Sequence, residues 1–115
     1  MSYIDGTVVA VPTANKGKYL EYARAYSAIF KEHGATRVVE NWGDNIPDGK
    51  QTDFKRAVQA TPEETIVFSW ITWPDKKTRD AGWDKMMKDD RMMKMEMPFD
   101  GKRMIYGGFA QVFEA

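Results

Sequence analysis

The stretch TIVFSWITWPD, from Thr65 to Asp75, shows the unit from which the fold is built, because it holds a strand, the end of that strand and the start of a helix. β-Branched and aromatic residues dominate its first nine positions, which is typical of a strand. Pro74 ends the strand because proline cannot donate to a β-ladder, and Asp75 is a residue that caps helices. Trp83 and Met86 follow on the apolar side of a helical pattern. The stretch therefore predicts a strand followed at once by a helix.

The N-terminal half of the chain repeats this order. Tyr3 to Val11 is rich in β-branched residues and predicts the first strand. Lys16 to His33 has apolar residues at helical spacing, and Gly34 predicts the C-terminal end of that helix. Thr36 to Trp42 predicts the second strand. Each half thus begins with a strand, continues with a helix and returns to a strand.

The remaining segments connect and complete the two halves. Gly43 to Asp53 has the composition of a loop, and Phe54 to Ala60 favours a short helical turn. A methionine-rich helical patch follows the second helix, and Lys102 to Phe113 predicts the last strand. The whole chain, residues 1–115, then forms one α+β domain: a ferredoxin-like βαββαβ sandwich with a four-stranded antiparallel sheet and both helices on one face. The other face would be bare and aromatic, which predicts a homodimer built face to face.

Composition excludes several classes of function. Seventeen basic and seventeen acidic residues give a formal net charge of zero, so we expect neither nucleic acid nor an anionic membrane surface as a partner. The run GGFAQVF is similar to the RNP1 signature of RNA-binding domains, but it lies on the fourth strand instead of the third. The absence of cysteine excludes disulfides and thiolate chemistry and suits a cytoplasmic location.

Tryptophan and carboxylate side chains suggest a pocket. Alternation places Glu40, Trp42 and Asp44 on one face of the second strand, and Phe68 and Trp70 on one face of the third. Two tryptophans with a few carboxylates could line an apolar pocket with polar anchors. Packing of these aromatic residues in the core is the alternative interpretation.

The segment MPFDGKRMIYGGF provides the last candidate residue. Asp100 and Gly101 predict a tight turn in which glycine has a positive φ. Arg103 can pair with Asp44 or Asp48 and hold the loop over a pocket, or it can bind a substrate carboxylate. A solvated charge at the start of a strand is the alternative. We expect Trp42, Asp44, Trp70 and Arg103 to be the ligand-binding residues.

Metal and cofactor chemistry find no support in the sequence. His33 is the sole histidine, and a cation in the last turn of a helix interacts well with the helix dipole; a metal or proton-transfer role is the alternative. No cluster of ligands stands at a recognisable metal-binding spacing. We therefore predict no metal and no cofactor, since flavin and nicotinamide motifs are also absent.

Four segments together resemble a known family. IDGTVVAVP, VVENWGDNIPDGKQTDF, VFSWITWP and MPFDGKRMIYGGF are similar to the small bacterial YbaA-like family, a domain-of-unknown-function family, over almost the whole chain. The resemblance implies membership of the dimeric α/β-barrel superfamily, in which two ferredoxin-like protomers press their sheets together. It implies no particular activity, because that superfamily contains cofactor-free monooxygenases, haem-degrading enzymes, dehydratases and ligand sensors.

Two hypotheses of function follow. In the first, a pocket between sheet and helices binds or transforms a small apolar or aromatic molecule. In the second, the chain is a non-catalytic dimeric interaction module whose aromatic residues serve only the core and the interface. A cavity lined by a polar group favours the first hypothesis, and a fully packed barrel favours the second.

Overall fold

The computed structural model describes residues 1–115. Four strands and four helices make up the chain, and short 3₁₀ turns at 13–15 and 101–103 precede the first helix and the last strand. In chain order the elements are β1 (Tyr3–Pro12), α1 (Lys16–Glu32), β2 (Arg37–Trp42), α2 (Phe54–Ala57), β3 (Glu64–Trp73), α3 (Lys76–Met87), α4 (Asp90–Met93) and β4 (Ile105–Ala110).

The strands form one sheet in the order β2-β3-β1-β4, and every neighbouring pair is antiparallel. This order and the βαββαβ arrangement confirm the predicted ferredoxin-like fold. Because side chains alternate along a strand, each strand gives one set of residues to each face of the sheet. We call the face beneath α1 and α3 the helix face and the opposite one the open face.

The helix face carries most of the core. Val9, Val11 and Val67 pack there against Tyr19 of α1. Trp73, at the end of β3, is completely buried in a second cluster with residues of α1 and α3. Burying apolar area of this kind is the main stabilising term for such a domain.

The sequence predicts a bare open face, but the structure shows that part of this face is covered. The segment between β2 and β3 folds across part of it, and Val58 there is fully buried against Val8, Ala10 and Ile66. The rest of the face remains uncovered, with Phe68 45% exposed. An aromatic patch therefore survives on one half of the open face.

The end of the chain differs from the sequence prediction in two respects. Strand β4 spans only Ile105–Ala110, because its partner β1 begins at Tyr3 and offers no ladder beyond it. Asp100 caps a 3₁₀ turn by accepting a hydrogen bond from the Lys102 amide, and Gly101 does not have a positive φ. The predicted glycine-dependent turn is therefore wrong.

The signals that end and begin helices are confirmed. Gly34 follows α1 with a φ of +113°, a conformation that glycine adopts at little cost. Asp75 caps α3, since its Oδ1 accepts a hydrogen bond of 2.7 Å from the Thr78 amide. None of the helices has both the length and the apolar character needed to cross a bilayer.

Candidate functional site

A row of polar side chains crosses the centre of the helix face. Glu40 on β2 stands opposite Ser69 on β3, Ser69 stands opposite Thr7 on β1, and Thr7 stands opposite Tyr106 on β4. Cross-strand neighbours lie about 5 Å apart, so the row spans all four strands. We call these four residues the polar row. It contrasts with the valines that lie two residues further along the central strands, Val9 and Val67.

A cavity of about 590 Å³ opens above this row. The polar row contributes Thr7, Ser69 and Tyr106 to it, and most of the remaining lining is apolar or aromatic. The apolar and aromatic walls come from α1, α3 and the segment before β4, and include Tyr26, Phe30, Trp83, Phe99 and Met104. Its volume falls within the range of about 300–1,000 Å³ that ligand pockets occupy in proteins.

Hydrogen bonds connect the polar row to α1. The hydroxyl oxygens of Thr7 and Ser69 lie 2.9 Å apart, so one hydroxyl donates a hydrogen bond to the other. The Tyr19 hydroxyl, which descends from α1, donates a hydrogen bond of 2.7 Å to Oε1 of Glu40. The other carboxyl oxygen, Oε2, is buried and has no hydrogen-bond partner.

Burial dominates the electrostatics of this end of the cavity. It raises the pKa of Glu40 above its usual range, while the Tyr19 and Ser69 hydroxyls lower it in part. Burial likewise raises the pKa of Tyr19, and the neighbouring carboxyl of Glu40 raises it further. The Tyr19 hydroxyl therefore remains protonated at any ordinary pH. The resulting unit is a buried carboxyl with a neutral phenol donating to it.

A second buried carboxylate, Asp5, borders the cavity on β1 and is fully paired. Its Oδ2 accepts hydrogen bonds from the indole nitrogens of Trp73 and Trp83 at 2.8 and 2.9 Å. Arg79 on α3 donates to both oxygens, and its guanidinium also lies 5.1 Å from the centre of the Tyr3 ring. Asp5 thus ties β1, β3 and α3 together, which is a structural role.

The four predicted ligand-binding residues do not meet in one place. Trp42 lies on the helix face beside Tyr19, with their ring centres 6.5 Å apart, but does not line the cavity. Trp70 borders the cavity, although its side chain belongs to the open face and stacks edge-on against Phe68. Asp44 is exposed in the loop after β2. Their role in ligand binding stays a prediction.

Arg103 is the fourth predicted residue, and the structure gives it different partners from those suggested by the sequence. Its guanidinium makes a two-pronged contact with Glu64 at 2.8 and 2.6 Å and also bonds Asp100 and the Gln59 carbonyl. It pairs with neither Asp44 nor Asp48. Because its donors are engaged, this arginine fixes the turn before β4 instead of facing the cavity.

His33 contacts the residue that caps α4, which gives it a structural role. Its Nε2 lies 3.0 Å from Oδ2 of Asp89, which caps α4 and is further bonded by Arg91. Hydrogen bonds from Arg91 and then His33 hold the pKa of Asp89 well below its usual range. No group of three or more histidine, aspartate or glutamate side chains converges as a metal site would require.

Sequence reasoning missed Asp5, Tyr19 and the polar row as a unit. A charged residue inside an otherwise apolar strand was the available signal, because such a residue is buried only when it is paired. Asp5 and Glu40 both fit that description. Their partners are far away in sequence, so only the register of the sheet brings them together.

Comparison with known proteins assigns the chain to a family. Residues 2–101 match the family described as "Protein of unknown function (DUF1428)". The chain belongs to this family. It is also 53% identical over 116 residues to the "Uncharacterized protein YbaA" of Escherichia coli strain K12, with 99% of each chain covered. The protein of the same description from Shigella flexneri matches equally well.

Proposed function

We propose that this chain binds a small apolar or aromatic molecule in the cavity between its sheet and its helices. The observation that carries the proposal is the cavity of about 590 Å³ whose apolar walls stand on a polar floor. Ligand pockets of about 300–1,000 Å³ are lined mainly by apolar and aromatic side chains with a few placed polar groups, and the lining of this cavity has that composition. The floor supplies hydroxyls that would orient a ligand, and the walls supply the area that would bind it.

Catalysis in this cavity would rest on proton transfer. Glu40 has a buried carboxyl with a raised pKa and stands behind Tyr19 and Ser69, so a proton from a bound molecule would have to reach it through one of these cavity-lining hydroxyls. A reaction with dioxygen would need a substrate that supplies the electrons, as in cofactor-free oxygenases. Binding alone requires neither step.

A fluorescence titration tests the binding proposal, with 2-naphthol as the probe. Thr7→Leu places a larger apolar side chain on the floor of the cavity and should weaken binding by about tenfold or more. Thr72→Leu is the matched control because Thr72 lies on the same sheet but on the open face, opposite Ile4; it should bind like the wild type. Equal affinity in the wild type and both variants would mean that the probe binds outside the cavity, which would refute the proposal.

We also infer that two copies associate through the uncovered part of the open face, as a homodimer. Phe68, Ile105 and Phe109 lie there, with Phe109 60% exposed. Exposed apolar patches of this kind usually meet a partner, and a second copy presents a matching patch. Light scattering at micromolar concentration should give twice 13.2 kDa, whereas a clean monomer would refute the association.

A further inference from the structure

We propose that the cavity selects ligands that carry a hydrogen-bond donor, such as a phenol O–H or a heterocyclic N–H, and that Glu40 is the positioning residue that imposes this selection. Glu40 does not line the cavity, but it stands behind two residues that do, Tyr19 and Ser69. The inference rests on the proposed function, because it concerns the ligand of the same cavity.

Tyr19 has no proton to offer a ligand. A phenol has one proton, and Tyr19 gives its proton to Oε1 of Glu40 at 2.7 Å. Only lone pairs of the Tyr19 oxygen are then left for any further partner. Because burial and the adjacent carboxyl raise the pKa of this phenol, it keeps its proton and its orientation.

The hydroxyl pair in the middle of the polar row has one proton that is not used within the pair. Thr7 and Ser69 have two protons between them, and one is used in their mutual hydrogen bond of 2.9 Å. Ser69 stands opposite Glu40, whose buried Oε2 has no hydrogen-bond partner. The remaining proton lowers the free energy most when Ser69 directs it toward that carboxylate, since an unpaired buried charge is costly.

The direction of the whole row follows from this orientation. If Ser69 donates toward Glu40, then Thr7 must donate to Ser69, and the Thr7 oxygen presents its lone pairs to the cavity. The cavity-lining oxygens of Thr7 and Tyr19 are thus free to accept hydrogen bonds from a ligand and have no proton to donate to it. A ligand O–H or N–H satisfies them, whereas an ether oxygen in the same place is repelled and leaves them unpaired.

Glu40→Gln should reverse the direction of the hydrogen bonds along the polar row without changing the shape of the side chain. The glutamine carbonyl still accepts the proton of Tyr19, but its amide donates to Ser69. Ser69 then donates to Thr7, and Thr7 donates into the cavity. The variant would present a donor where the wild type presents an acceptor.

Fluorescence titrations with two matched probes test the inference: 2-naphthol, which has a donor, and its methyl ether 2-methoxynaphthalene, which has none. The wild type should prefer 2-naphthol by about tenfold, the equivalent of one good hydrogen bond. Glu40→Gln should narrow that preference to within about twofold or invert it. Glu21→Gln, an exposed site on α1, is the control and should keep the wild-type preference.

Ser69→Ala provides an independent variant, in case Glu40→Gln alters the fold. The substitution removes the hydroxyl between Glu40 and Thr7 and leaves the hydrogen bond from Tyr19 to Glu40 in place. It should therefore also narrow the preference for 2-naphthol over 2-methoxynaphthalene. Equal affinity of the wild type for both probes, or a preference unchanged in both variants, overturns the inference and leaves the binding proposal standing. Failure of both probes to bind the wild type overturns the binding proposal together with the inference.

Discussion

The helix face and the open face belong to the same four strands, yet they bury different chemistry. The helix face encloses a cavity, the carboxyls of Asp5 and Glu40, and the hydroxyls of Thr7, Ser69 and Tyr19, and each of these groups makes a side-chain hydrogen bond. The open face is apolar at its centre: the segment around Val58 covers one part of it, and the other part, with Phe68, is exposed. Directional groups suit recognition of a small molecule, whereas a broad apolar patch suits contact with another protein surface.

This contrast predicts that substitutions on the helix face disrupt folding or ligand binding, and that those on the open face change association.

The largest effect should come from Asp5→Ala. The substitution leaves the Arg79 guanidinium and two indole N–H groups without their shared acceptor, so the free energy of unfolding should fall by about 3–5 kcal/mol. Urea denaturation measures the change. Asp44→Ala, at an exposed aspartate, should shift stability by less than about 0.5 kcal/mol, and similar losses in both variants would contradict the role of Asp5.

A glycine on α3 tests how closely that helix approaches the sheet. A Cβ at Gly82 would lie 2.5 Å from the Trp73 ring and 2.8 Å from the His33 carbonyl oxygen. Gly82→Ala should therefore destabilise the protein by about 1–3 kcal/mol, as overpacking usually does.

Gly17→Ala is the control in α1, where nothing lies within 4 Å of the new methyl group. It should stabilise the protein by up to about 1 kcal/mol, because alanine favours a helix more than glycine does. Thermal melts of both variants would separate packing from helix propensity. A gain in stability at both sites would mean that α3 does not press on Trp73.

The ion pair between Arg103 and Glu64 should stabilise the protein at neutral pH and lose this effect in acid. Hydrogen bonds from Arg103 lower the pKa of Glu64 from 4.5 to about 2. A lowered pKa means that the stabilisation is complete above about pH 4.5 and is lost as the pH falls toward 2. The side chain of Glu64 is only 8% exposed, but its partner borders solvent. We therefore expect Glu64→Gln to cost about 1 kcal/mol at neutral pH.

Urea denaturation of Glu64→Gln at several pH values tests this predicted pH range. The difference from the wild type should shrink between pH 4.5 and pH 2, whereas Glu63→Gln, at the exposed neighbouring residue, should match the wild type throughout. A constant difference across that range would exclude the ion pair as its cause.

On the open face we expect the smallest effect on the stability of the protomer. Phe109→Ser removes a ring that is 60% exposed, so the denaturation midpoint measured under dilute, monomeric conditions should change little. The same change should weaken self-association, which analytical ultracentrifugation measures. A large loss of protomer stability without an effect on association would mean that the open face serves the core of the protomer and not a dimer.

The order of the elements and the faces of the strands could be predicted from sequence because both depend on local patterns. Alternation correctly placed Glu40 with Trp42 and Phe68 with Trp70, and Gly34 and Asp75 marked helix ends. These signals act within a few residues, where propensity and capping operate.

The site itself could not be predicted, because it depends on the register between strands. Trp73 and Asp5 are 68 residues apart, and the hydroxyls of Thr7 and Ser69 are 62 apart. Shifting a strand by one residue would turn either member to the other face. Arg103 shows the same limitation: its charge was visible in the sequence, but its partner Glu64 was not.

A crystal structure of the protein with 2-naphthol would decide whether the cavity is the binding site, because it locates the bound molecule instead of inferring its place. We expect the probe between the sheet and α1, with its hydroxyl donating to Thr7 or Tyr19 and its rings against Phe30 and Trp83. An empty cavity with the probe bound only beside Phe68 and Phe109 on the open face would contradict binding between sheet and helices.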